Sequence, residues 1–323
     1  MPTLQLYETL AAAIPAGGEE PRITTGGEAP RIPTGSEAPR IPTGSEPPRI
    51  AAFAAGLRWF AVLADTGGLG LAMTPAGVAE DPPDPAACFL ADAGESGEKF
   101  CAAHSRAEFP PRAAHPRADA EFPPTIAGAP LHTAALLAAR SWGTGNATLG
   151  VAALNAWHNT DTALATAFAD TARWRVTRDT PNAFDALLPR LRGATVSVIG
   201  HFRDVERLAD HCSTLHVLER RPQRGDLPDP ACEYVLPASD YVFITGATLA
   251  NKTLPRLLEL SERAYTAVIG PSVTLSPALF AAGADFLGGS VSLDPAATLR
   301  AVQEGGGRHN FSRLLQSLQI EKA

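Results

Sequence analysis

Charge is scarce in this chain: only 19 % of its 323 residues are Asp, Glu, Lys or Arg, and the formal net charge is −7. That balance leaves no broad basic surface of the kind nucleic acid requires. Cysteine is equally sparse. The four residues, at positions 88, 101, 212 and 232, form no Cys-x-x-Cys pair. Their spacing therefore gives neither a zinc knuckle nor a disulfide framework. Apolar runs are short, and none approaches the roughly 18 to 20 residues that a bilayer span requires. The opening Met1-Pro-Thr-Leu-Gln-Leu-Tyr7 lacks a basic stretch followed by an apolar core, so no secretory signal is read and a cytoplasmic protein is expected.

Glycine and proline are plentiful, at 28 and 29 residues. Much of that proline falls in a tandem repeat in which Pro21-Arg-Ile23, Pro30-Arg-Ile32, Pro39-Arg-Ile41 and Pro48-Arg-Ile50 recur every nine residues. One apolar residue per repeat, flanked by prolines, can neither build a ladder nor bury enough surface to offset ordering entropy. Residues 17 to 48 are read as a solvated insert. A second irregular stretch, about 80 to 124, writes Ala-Glu-Phe-Pro-Pro twice and carries His104 and His115.

Between and around these stretches the pattern is regular. Leu4, Leu6, Tyr7, Leu10 and Ile14 share one helical face. Strands are expected over 50–55, 57–63 and 69–73, with Asp65-Thr-Gly67-Gly68 as a hairpin turn. Helices follow over 131–142 and from about Thr148 to Trp157, completing an α+β domain that ends near Arg178. Beyond it, four apolar runs end in glycine or acid and lead into helical stretches: 194–200, 215–219, 240–246 and 264–270. Such alternation reads as βαβ units with a parallel sheet, a Rossmann-like α/β domain over 179–323. A Gly288-Gly289-Ser290 turn and a helix over Pro295–Gln303 are expected to close it.

Ligands of such sheets sit at the carboxyl ends of the strands, which places the candidate site before its chemistry is known. Gly200-His201-Phe202 follows the first strand, but positions 202 and 205 are not glycine, so the dinucleotide fingerprint is incomplete. Glu219 closes the second strand where a ribose-binding acid would stand, and also suits a plain strand-end acid. Thr245, Gly246, Thr248 and Asn251 follow the third strand; Gly270, Pro271 and Ser272 follow the fourth. These groups suit a polar or anionic ligand, while Ser276 before Pro277 reads as an N-cap. His201 is the one imidazole expected at this crest and is the metal-ligand candidate. His211, Cys212 and His216 flank their strand without converging. No Gly-x-Ser-x-Gly elbow is present.

These residues carry a resemblance. Val196-Ser-Val-Ile-Gly-His-Phe202, Val217-Leu-Glu-Arg220, Ile244-Thr-Gly-Ala-Thr248, Asn251-Lys-Thr253 and Gly270-Pro-Ser272 resemble the family of unknown function known as "putative heavy-metal chelation". Gly56-Leu-Arg-Trp-Phe-Ala-Val62, Gly70-Leu-Ala-Met-Thr74 and Gly150-Val-Ala-Ala-Leu-Asn155-Ala156 resemble its companion domain. The resemblance implies an enolase-N-terminal-like domain packed on a Rossmann-like one, with a site between them that Asn155 faces. One departure is Ser141-Trp142-Gly-Thr-Gly-Asn146, where the family pattern has Asn-Pro and an acid after Ser-Trp.

The expected function is binding of a small polar or metal-chelating molecule at the domain junction, with an enzyme acting on that molecule as one form. The alternatives are a non-catalytic metal or metal-chelate delivery protein and a methyl-donor-dependent transferase. A divalent metal is the cofactor candidate, a small molecule or metal chelate the partner, without nucleic acid or membrane, and a homo-oligomer a candidate assembly. The repeat generates the first testable outcome: deletion of residues 17 to 48 should leave a cooperative thermal transition within a few degrees of the full chain's. Loss of cooperativity would show that the repeat packs on the core.

Overall fold

A computed structural model describes residues 4–16, 46–56, 58–74, 126–179, 183–203 and 205–323. Most of the repeat, the stretch from 80 to 124 with His104 and His115, and Cys88 and Cys101 lie outside the described residues. Pro48, the start of the last repeat, is inside them and buried; its carbonyl accepts the Leu131 N–H at 2.8 Å. The insert therefore ends before it, and a deletion that spares the folded body stops at residue 45.

The first half is an antiparallel meander under helices. Strands β1 (Ile50–Ala55), β2 (Trp59–Ala64) and β3 (Leu69–Met73) pair in order. Helix α1 (Gln5–Ala12) buries Leu6, Tyr7, Leu10 and Ala11, while Leu4 stays exposed. Helices α2 (Leu131–Arg140) and α3 (Thr144–His158) follow, then α4 (Asp161–Ala167). Helix α3 is buried on nearly every side, so its sequence carries little amphipathic period. Its small residues let backbones meet. A Cβ on Gly70 would collide with the Ala152 carbonyl oxygen, and one on Gly150 with the Ala138 nitrogen.

The second half is one eight-stranded sheet in the order β4-β11-β10-β9-β8-β5-β6-β7. Strands β5 (Thr195–Ile199), β6 (Thr214–Glu219), β7 (Leu227–Pro228), β8 (Tyr241–Thr245), β9 (Tyr265–Ile269) and β10 (Phe286–Ser292) run parallel. Strand order 3-2-1-4-5-6 within that set is Rossmann-like. Helices α5 (Ala183–Leu187), α6 (Cys232–Val235), α7 (Ala247–Ala250), α8 (Leu254–Leu260), α9 (Pro277–Ala281) and α10 (Pro295–Gln303) are short or single-turn elements between strands, and α11 (Arg308–Phe311) precedes the last one. Among the described residues no helix is long and apolar enough to cross a membrane.

Three features differ from the sequence expectation. Gly288-Gly289-Ser290 is not a turn but the middle of β10, paired throughout to the last strand and, at Gly288, also to β9. A final strand, β11 (Leu315–Lys322), runs antiparallel beside it. Residues 174–178, assigned to the end of the first domain without an element of their own, form strand β4 (Trp174–Arg178), which is hydrogen-bonded to β11 and so belongs to the second sheet. The glycines are tolerated because Cβ atoms would press on Ala183 and Leu275, which already fill that space.

The two halves are fastened by side-chain amides. Asn155 donates to the carbonyls of Leu71 and Ser272, at 2.8 and 3.1 Å, and accepts the Thr274 hydroxyl at 2.6 Å. One turn later Asn159 donates to the Val273 carbonyl and accepts the Leu275 N–H. The Met73 N–H donates to the Ser272 hydroxyl at 2.7 Å. Farther along the seam, Lys252 adopts φ 64° and its ammonium donates to the Ala138 carbonyl, an end of α2 lacking a helical partner. It lies between the rings of Tyr7 and Trp142, at 5.4 and 5.7 Å.

Two outcomes follow from this seam. Asn155→Ala strands a buried carbonyl pair and a hydroxyl, so it should destabilise the protein by about 3 kcal/mol in urea unfolding, with one transition retained. A small loss confined to one of two separated transitions would contradict a shared core. For Lys252, burial lowers the pKa from 10.5 to about 8. The unfolded chain then binds more protons between those values, so stability should rise as pH climbs from about 8 towards 10.5. Lys252→Met should flatten that rise, measured by urea midpoints across the range.

Candidate functional site

The crest of the sheet is built around Gly200. Its φ of 97° favours glycine, and a Cβ there would lie 2.9 Å from Cγ2 of Thr245. The chain thus turns tightly between β5 and β8, where the strand order reverses. In a dinucleotide site the amides of this turn face phosphate. Here the His201 N–H donates at 2.9 Å to Glu219, whose other oxygen accepts the Arg220 N–H at 2.7 Å. The protein's own carboxylate holds the turn, which removes support from the nucleotide and methyl-donor alternatives.

The His201 imidazole has its Nδ1 3.1 Å from the Asp226 carboxylate, whose side chain is only 4 % exposed. A carboxylate accepts, so Nδ1 is the nitrogen that donates to Asp226. Nε2 lies 3.5 Å from the exposed Glu206. Asp226 also accepts the Gln223 N–H at 2.9 Å, tying the loop after β6 to the crest.

Most of the remaining sequence candidates are engaged within the protein. Thr248 donates its hydroxyl to the Thr245 carbonyl at 2.6 Å, and Asn251 accepts both the N–H and hydroxyl of Thr253. Asn251 rather than Thr253 therefore supplies the polar side chain ahead of α8. Gly246 gives room to the Ser272–Val273 backbone. Ser272 and Asn155 belong to the seam, and the three hydrogen bonds of the Asn155 amide go to the protein rather than to open space. Ser276 caps α9 by accepting the Ala278 N–H. Cys212 and Cys232 are free, with burial pushing both thiols up.

Phe202, Gly270 and Pro271 do line a cavity, of about 520 Å³, over the ends of β9, β10 and β11. Phe184 and Phe202 meet edge to face at 5.2 Å and form its aromatic wall. Among the described residues its polar lining comes from Arg203, Ser290, His309, Ser312, Ser317 and Gln319, none of them acidic. Pro271, Ser290 and Leu315 also border a small gap at the seam, together with Leu69, Leu71 and Asn159. Sequence reasoning missed most of the polar lining because Ser290 lies in β10, read as a turn, and His309, Ser312, Ser317 and Gln319 lie in a stretch for which no element was expected. The available signal was Gln319, an amide inside the apolar run Leu318-Gln-Ile320.

The imidazole gives a direct test. Heteronuclear NMR should find the His201 proton on Nδ1, and Asp226→Ala should produce mixed tautomers. An unchanged pattern would show that Asp226 does not orient the ring.

Among the described residues, no three His, Cys, Asp or Glu side chains converge as a metal centre. A search of the curated proteins finds no match. Residues 40–158 match the family model DUF4213 and residues 182–318 match DUF364, both described as "Putative heavy-metal chelation". A DUF364-family protein of unknown function from Desulfitobacterium hafniense is 28 % identical, over 85 % of this chain and 93 % of its own, with a TM-score of 0.64. Another from Pyrococcus horikoshii is 18 % identical, over 85 % and 94 %, with a TM-score of 0.58, a likeness of fold alone. The chain belongs to the DUF364 family, with a DUF4213 domain as its first half and a DUF364 domain as its second.

Proposed function

We propose that this protein binds a small, polar, metal-chelating molecule, free or as its metal complex, in the cavity above β9, β10 and β11 beside the domain seam. The cavity carries this reading. Its volume, about 520 Å³, falls in the range of small-ligand sites, and it lies at the carboxyl ends of parallel strands. The family description supplies the metal. Since no three described ligating side chains converge, the metal is best understood as cargo that arrives with its chelator. His201 does not itself line the cavity but immediately precedes the lining residue Phe202, and it is the neighbouring side chain best fitted to add a protein ligand: Asp226 orients its ring as outer-sphere carboxylates orient metal-bound histidines, and Nε2 lies beside Glu206.

Carriage and turnover of such a molecule would share this pocket. Carriage is the simpler form, since the described lining residues include no carboxylate to act as acid or base. Native mass spectrometry of freshly purified protein should reveal a bound small molecule, which Ser290→Trp, filling the cavity, should lose while keeping its circular dichroism. Retention of the molecule by that variant would move the site elsewhere. Conversion of the molecule on incubation would establish an enzyme instead. For the metal, equilibrium dialysis with zinc and citrate together should show uptake weakened roughly tenfold or more in His201→Ala. Uptake should be unchanged in a Cys212→Ser, Cys232→Ser double variant; dependence on the thiols would remove His201 from the reading.

A further inference from the structure

We infer that the cavity recognises an oxyanion, a carboxylate or phosphate carried on a small organic molecule, through the side-chain amide of Gln319. The inference rests on the cavity being the ligand site and names the chemistry it selects. Gln319 is 8 % exposed, yet none of the hydrogen bonds among the described residues uses its side chain. Its amide atoms are not sealed from solvent, so water can satisfy them in the free protein and a ligand entering the cavity can take the place of that water.

The register of the last two strands shows where it points. Leu318 and Ile320 lie in the core that also holds Leu287, so Gln319 stands on the opposite face of the sheet, the face of Phe286. Its cross-strand partner is Gly288, which has no side chain to cover it. Two residues along, Ser317 faces Ser290 in the same register, and both border the cavity. Neither hydroxyl has a hydrogen bond to another described residue, whereas the Ser312 hydroxyl is already donated to the His309 carbonyl.

Gln319, Ser290 and Ser317 thus offer N–H and O–H donors from two adjacent strands, with the Arg203 guanidinium also in the lining. Among the described residues of that lining, none is Asp or Glu. A neutral polar ligand would tolerate a carboxylate beside it; an oxyanion would not. Across the cavity, Phe184, Phe202, Pro271 and Leu315 present apolar surface, so the ligand carries a carbon skeleton as well as its anionic end.

The full chain, freed of any co-purified molecule, would be titrated calorimetrically with citrate, glycerol phosphate and neutral sorbitol. Binding of citrate or of glycerol phosphate, but not sorbitol, is expected, and the anion that binds distinguishes the carboxylate source from the phosphate source. Gln319→Glu should weaken that binding at least roughly tenfold through charge repulsion, and Gln319→Leu by a similar factor through lost donors. Thermal unfolding of each variant would establish that it folds, and Ser317→Ala provides a milder second removal of a donor. Sorbitol binding as well as the anions, or anion binding indifferent to all three variants, would overturn the inference while leaving the cavity as the ligand site. If none of the probes binds and Ser290→Trp still retains the co-purified molecule, the cavity reading falls with it.

Discussion

Two asparagines one helical turn apart hold this molecule together. Asn155 and Asn159 take up the backbone of residues 272–275, the segment that leaves β9 for α9, and neither interaction is replaceable by an apolar contact of similar shape. A side-chain amide can donate and accept at once, so each reads a carbonyl and a donor of the opposite half in a single orientation. Removing one leaves buried polar groups on both sides of the seam. The close approach that brings α3 within reach depends in turn on Gly68 and Gly70, where any side chain would strike the helix backbone. Because Pro271 immediately precedes the clamped segment and lines the cavity, the first half fixes a wall of a pocket lined by the second.

The electrostatics of the crest follow from where the protein spends its own carboxylates. Glu219 occupies the His201 amide of the turn after β5 and the Arg220 amide after β6, and Asp226 occupies the His201 ring and the amide of Gln223. An incoming anion at that turn would meet two carboxylates and find the His201 amide taken. The lining over β9, β10 and β11 differs: its described residues include an arginine, a histidine, hydroxyls and an amide, and none is acidic. A chain of net charge −7 repels anions at long range, but screening confines that effect to about 8–10 Å at physiological salt, so the local lining decides the sign at contact.

What the sequence made legible was repetitive and local. β1 and β3, the carboxyl ends of β5, β6 and β8, and α10 are marked by short apolar runs, turn glycines and a proline at the first helical position, signals that need no tertiary partner. Gly200, His201, Glu219 and Thr245 were placed at the crest by the same logic, and the structure assembles them there. The illegible parts depend on distant contacts. Gly288-Gly289 has the composition of a turn, and only the strands on both sides make it β10. Helix α3 began earlier than its apolar residues suggested because complete burial erases the polar face that marks a boundary. Asn155 was expected to face ligand; a buried amide has the same letter whether its partner is a ligand or the other domain.

Placing an amide on a strand rather than a loop has a mechanical consequence. Gln319 is held by β10 on one side and β4 on the other, in register with Gly288 and Thr177, so its backbone has little freedom to follow a ligand. Such a donor is prepared before binding and selects by distance and charge rather than by adjusting. The same economy applies to a metal cargo. A divalent ion bound by a polyanionic chelator offsets part of the chelator's charge, so one arginine and a few neutral donors suffice where the free chelator would call for several cations. In the proposed complex the chelator would fill most of the coordination sphere, leaving at most one or two positions for protein donors such as His201 and Glu206. Two converging donors are too few to retain a bare ion firmly, and that weakness would favour the complex over the free metal.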